Sequence, residues 1–203
     1  MTEGIKMIWG YFKFVTTSVV VLLMPACNNY VPKPHGYFRI DLPEKNYVTF
    51  AAPNYPYSFE YADIAKVVAK ENEQDSFWIN ITYPQFDAKI YGSYKKIEQD
   101  NSEHANFRKV SEDARAFVFK HTVKADAITN QPYEDDVRKV YGILYELKGN
   151  AASGIQFVLT DSTHHFFRGT LYFNVSPNAD SIAPVSAFIR EDIIRLFETI
   201  KWK

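Results

Sequence analysis

Cys27 is the only cysteine in 203 residues, and its surroundings suit its sulfur to one chemistry. It follows Met24, Pro25 and Ala26 at the end of an apolar run, Phe14 to Ala26, preceded by Lys6 and Lys13. A small residue before a cysteine, at the end of an export core, is the arrangement of a bacterial lipobox. The thiol takes a diacylglycerol as a thioether, and the small side chain lets the signal peptidase close on the backbone. Met24 stands where Leu is usual and Pro25 where Ala or Ser is usual; Glu3 is out of character for a basic leader, and Met7 is a second candidate start. The run is shorter than the roughly 20 apolar residues a spanning helix needs, and it fits a signal-peptide core. An uncleaved signal anchor, counted back through Ile8–Phe12, is the alternative. The expectation is a signal peptide over 1–26 and a lipid-bearing amino terminus at Cys27. At about 0.8 kcal/mol per buried methylene, two or three acyl chains hold a protein on a membrane almost permanently. A sulfur consumed in this way leaves no disulfide and no thiol catalysis.

The other reactive side chains are sparser. His121 and Asp126, with Lys124 between them, form a spacing that suits proton transfer. No nucleophile accompanies them, and a histidine at a helix C-terminus is also a favourable partner for the helix dipole. His164 and His165 are adjacent, so in a strand they face opposite ways and do not share a metal. Ser153 lacks the strained G-x-S-x-G elbow. Glu134, Asp135 and Asp136 lack the glycine of a calcium loop and read as a solvated acidic loop. Asn178, Asp180 and Ser181 are good cappers around a helix start. Their stretch, 176–184, and the stretch 121–128 read either as structural corners or as rims that dock a partner. The expected partner-binding set is therefore His121, Lys124, Asp126, Asn178 and Asp180. No catalytic residue, metal site or cofactor is expected, and the chain has no G-x-G-x-x-G, P-loop or C-x-x-C. A pocket near His121 and Asp126, for a ligand or a weak enzymatic activity, is the alternative use of those residues.

The elements that must position these residues follow from periodicity. Hydrophobic content is 46%, enough for a core, and Tyr, Phe and Trp number 14, 16 and 3, which favours strands. Net charge is −1 with no basic run, so nucleic acid is not an expected partner. Residues 27–36 are polar with Pro32 and Pro34 and read as a tether; 37–203 reads as one domain. Residues 36–43 read as extended. Strands are expected over 55–61, 77–84 and 88–97, the last two joined by a turn at PQFD. In the second of these, Phe77, Ile79, Ile81 and Tyr83 share one face and Trp78, Asn80 and Thr82 the other. Steps of three and four from Ser102 to His121 predict an amphipathic helix, and a polar loop, TNQPYEDD, follows it. Three strands over 138–150, 154–162 and 164–175 predict a meander, apolar on both faces as for a sheet covered by helices on both sides. A last helix carries a stripe of Val185, Phe188, Ile189, Ile193, Leu196, Phe197 and Ile200. Pro184 suits its first turn, and Arg190, Glu191, Asp192, Arg195 and Glu198 fill the other faces. The sum is an α+β fold, a mainly antiparallel sheet of six or seven strands flanked by helices.

PKPHGYFRIDLPEKNY, FKHTVKADAI, KVYGILYELKGNAAS, GTLYFNVSPNADSIAPV and FIREDIIRLFETIKW, in that order, resemble the gliding-motility lipoprotein GldD family of the Bacteroidota, from about Tyr30 to Lys203. The resemblance implies a lipid-anchored envelope protein that works with the gliding and type IX secretion machinery through protein–protein contacts. Its partners would be the membrane, through the lipid on Cys27, and other gliding-motility and secretion proteins. Surface-export signals in this phylum are acidic just after the cysteine. Here Asn28, Asn29 and Tyr30 follow, with no acid before Asp41, which implies a periplasm-facing protein. The strand-rich middle and C-terminal helix also resemble the Mog1/PsbP-like sandwich, a likeness of architecture that does not carry function.

Overall fold

The computed structural model describes residues 40–70, 77–97, 112, 115–116, 126–149, 153–175 and 179–203. All but the isolated residues 112 and 115–116 belong to, or connect, ten strands and one long helix. The strands are β1 (Tyr47–Phe50), β2 (Tyr57–Ala62), β3 (Lys66–Lys70), β4 (Trp78–Tyr83), β5 (Ala88–Lys96), β6 (Ala127–Asp135), β7 (Val140–Lys148), β8 (Ile155–Thr160), β9 (His165–Phe173) and β10 (Lys201–Trp202). The helix, α1, runs Ala179–Thr199. Seven strands form one sheet in the order β3-β4-β5-β9-β8-β7-β6, and β1, β2 and β10 form a second. Every pairing in both sheets is antiparallel.

Alternation places the core. Ile79, Ile81 and Tyr83 on β4 and Ala88, Ile90 and Tyr94 on β5 are buried on one face, as the period of two requires. On that inner face they meet Tyr57 and Phe59 from β2 and Ile189, Ile193, Leu196 and Phe197 from α1 in one apolar cluster. Fully burying each large side chain of this kind contributes about 1.5–3 kcal/mol. The PQF stretch forms a single 3-10 turn, and Asp87 follows in the left-handed region (φ 46°) to swing β5 back against β4. The β7-β8-β9 meander forms as expected, and β9 then closes on β5.

The structure corrects the sequence reading in four places. TNQPYEDD is not a loop: all of it but Asp136, which opens the turn, lies in β6, paired with β7. Strands β1, β3 and β10 were not expected, so the small sheet is new. Pro184 lies inside α1, which starts at Ala179, and not in its first turn. Asp192 is buried in the core-facing side of α1, not on a solvent face. Of the helix expected over 102–121, residues 112, 115 and 116 are described, and they are helical; the rest lies outside the described residues. Among the described residues no helix is long and apolar enough to cross a membrane.

Candidate functional site

Of the expected site residues, Cys27, His121, Lys124 and Asn178 lie outside the described residues. Asp126 and Asp180 are described, both are exposed, and the fold brings them to one end of the domain. Asp126 sits just before β6, and its backbone N–H donates to the Lys148 carbonyl at 2.9 Å. Its carboxylate lies against Gly149, where an added Cβ would stand 2.6 Å from Oδ2; Gly149 also has φ +96°. Only glycine therefore suits that turn. Asp180 is an acid in the first turn of α1, where it complements the helix dipole. It lines a groove of about 410 Å3 with Ile182 and Ser186 from α1 and Lys148, Gly149 and Ile155 from the β7–β8 end. Arg190 donates to Glu146 across this groove and, at 2.7 Å, to Gln131 on β6. The result is an apolar trough walled by both signs of charge.

The remaining candidates are held in structural roles. Ser153 is fully buried, and its hydroxyl donates to the Ile155 carbonyl at 3.2 Å. Asp135 accepts from the Arg138 backbone N–H and from its Nε, at 2.9 and 2.8 Å, across the β6–β7 turn. Arg138 in turn donates to Tyr133 and to the Phe197 and Ile200 carbonyls, so this acid organises a turn. Asp161 Oδ1 accepts the backbone N–H groups of Thr163, His164 and His165 at 2.8–3.0 Å. Burial pushes its carboxyl up, but those N–H donors outweigh that and hold it below the usual range. His164 is exposed, while His165 stacks flat on Trp202, ring centroids 5.1 Å apart, and meets Tyr94 Oη at 2.9 Å through Nδ1. Burial pulls the His165 pKa down. Burial and the Asp161 charge push Tyr94 up to about 12. Among the described residues no three His, Cys, Asp or Glu converge as a metal site would require.

One cluster escaped the sequence reading. Asp192 accepts from Tyr47 Oη and Tyr83 Oη, each at 3.0 Å, and from Lys45 Nζ at 2.9 Å. Lys45 also donates to the Phe188 carbonyl and lies 3.8 Å over the Phe188 ring. Burial, then the Asp192 charge, pushes Tyr47 up to about 12 and Tyr83 higher still. This network fastens the segment entering β1 to α1. The only sequence signal was an acid four residues past Phe188 in the apolar stripe.

These features define an α+β domain that offers grooves and an extended sheet face. The chain belongs to the gliding motility lipoprotein GldD family, whose profile matches residues 27–202. It is thus a membrane-anchored envelope lipoprotein of the gliding-motility group. No curated protein matches the chain. Solved structures similar to it include the solution structure of cyanobacterial PsbP (CyanoP) from Synechocystis, at 10% identity over 77% of this chain and 92% of that one, with a TM-score of 0.47.

Proposed function

We propose that the chain is a non-enzymatic docking component of the gliding and type IX secretion apparatus. It is held at the membrane by lipid on Cys27, with residues 1–26 removed, 27–36 as a tether and the domain facing the periplasm. The observation that carries this reading is the family match, which begins at Cys27 itself and runs through the whole sheet-and-helix body. The groove lined by Asp180, with Asp126 beside its Gly149, is the preferred contact surface, because it joins charge of both signs to an apolar floor. A polar rim of that kind sets partner choice and encounter rate more than affinity. The test places a photo-crosslinking residue at Asp180, and separately at the distant Val137, in living cells. Capture of motility or secretion components from position 180 but not from 137 is the expected result. Equal capture from both, or none from 180, removes this groove as the contact surface.

A further inference from the structure

The seven-stranded sheet has a second face, turned away from the core, and a buried amide lies on it. Gln156 on β8 is 1% exposed, and neither its Nε2 nor its Oε1 finds a hydrogen-bond partner among the described residues. Its sequence neighbours Ile155 and Phe157 belong to the core cluster, so alternation turns Gln156 to the other face, with Val158 near it. Register sets it in a row with Asn130 on β6, Tyr145 on β7 and Thr170 on β9. An amide buried without partners is costly, and native folds keep few of them without a reason.

A cavity of about 420 Å3 borders this amide. Tyr145, opposite Gln156, and Val158, further along β8, are both in its wall, with Asn130, Tyr141, Ile143 and Phe166. Tyr145 and Phe166 belong to two small apolar clusters apart from the core, and Val158 packs against both. Thr160 is also in the wall, but its hydroxyl donates to the His165 carbonyl and accepts from the Ser162 N–H, at 2.7 and 2.9 Å. Glu134 and Arg115 line the cavity too, one acid and one base, so the described lining selects for neither sign of charge.

This chemistry selects an occupant. The volume falls in the range of small-ligand sites, roughly 300–1,000 Å3. Aromatic and branched walls suit a flat apolar body. A carboxamide presents a donor beside an acceptor in one plane, and an amide edge on the ligand answers both at once. A purely apolar occupant would leave Gln156 unpaired. A peptide strand has no edge to join here, since β7, β8 and β9 are each paired on both sides. We propose that this cavity binds a small, uncharged, planar molecule with a cyclic-amide edge, with Tyr141 and Tyr145 as its ring walls and Gln156 as the group that reads that edge. The site does not involve the Asp180 groove and stands or falls independently of the docking reading.

The test titrates the full-length chain, purified in detergent, by calorimetry, with detergent-only titrations subtracted. The probes are 2-quinolone, which has the amide edge, 1-methyl-2-quinolone, which lacks its donor, and naphthalene, which lacks both polar groups. Saturable binding of 2-quinolone is expected, with the other two weaker by about tenfold or more, as a site that reads an N–H should reject a ligand without one. Gln156→Leu should remove this preference and weaken 2-quinolone about tenfold, while its urea midpoint stays the same or rises because an unpaired amide is gone. Val158→Phe, which keeps the amide and narrows the cavity, should weaken 2-quinolone to a similar extent; if it lowers the urea midpoint, the Gln156 variant decides. The proposal is overturned by absence of saturable 2-quinolone binding, by equal binding of the methylated probe, or by undiminished binding in Gln156→Leu. A lowered urea midpoint in Gln156→Leu overturns it in favour of an amide that the chain itself pairs.

Discussion

At Asp192 a single carboxylate joins three elements. It is 4% exposed, and its charge is offset by Lys45 and by hydroxyl donors from Tyr47 and Tyr83. Removing one member of a buried pair leaves the other charge uncompensated, at a typical loss of about 3–5 kcal/mol. Asp192→Ala is therefore expected to lower unfolding free energy by about 3 kcal/mol or more, read from urea curves. A change inside experimental error would mean that the network holds nothing together. His165 makes a second prediction at this scale. Its folded pKa lies below the ordinary imidazole value of 6.5, because burial favours the neutral ring. The unfolded chain then binds more protons near that pH, so this contribution to stability is present above pH 6.5 and declines as pH falls through it. The depressed Asp161 carboxyl adds a further decline at lower pH, through and below its unfolded value of 3.8. Urea midpoints measured from pH 7.5 to 5.5 should fall, and His165→Gln should flatten that slope. An unchanged slope in the variant would place the pH dependence elsewhere.

Between elements, paired glycines set how closely layers pack. Gly92 on β5 lies opposite Gly169 on β9. A Cβ at Gly169 would stand 2.0 Å from Phe157 Cζ, and one at Gly92 would stand 2.7 Å from Phe167 Cζ. The two strands thus leave room for rings that the core needs, since Phe157 is fully buried. Overpacking typically costs 1–3 kcal/mol, so Gly169→Ala should destabilise by roughly 3 kcal/mol. Adding Phe157→Leu, which removes the obstructing atoms, should recover part of that loss in a double-mutant cycle; strict additivity would refute the steric account. The same geometry explains what could be read from sequence. β4 and β5 were legible because one face is buried and the period of two is clean; the β7–β9 meander was legible instead from long apolar runs broken by turn residues, with β8 buried on both faces. β6 was not: Thr129, Asn130, Gln131 and Pro132 are exposed on this edge strand, so no alternation marks it, and pairing with β7 alone makes it a strand. β10 is two residues fixed by β2. Asp192 sat in an apolar stripe beside charged neighbours, and Tyr47, its partner, lies 145 residues away. Of the expected contact residues, Asp180 lines a groove that includes Gly149, and Asp126 lies against that glycine.

For the whole molecule, the relation to test is between the proposed anchor at Cys27 and the folded body formed by the described residues. Among the described residues the core cluster draws its buried members from Tyr57 onward, and Lys45 ties the segment before β1 to α1. Cys27→Ser is therefore expected to leave the urea midpoint of the domain unchanged. The same substitution removes the sulfur that would carry the diacylglycerol. Because the acyl chains supply the membrane affinity, the variant should leave the membrane fraction in a carbonate wash while wild type stays. Gliding should be lost in cells that contain normal amounts of the variant, since a docking body released from its surface loses the local concentration that anchoring provides. The two readouts separate the possibilities. A variant that remains in the membrane fraction would show that the leader, not the lipid, holds the protein. A released variant that still supports gliding would show that the folded body works without being held in place.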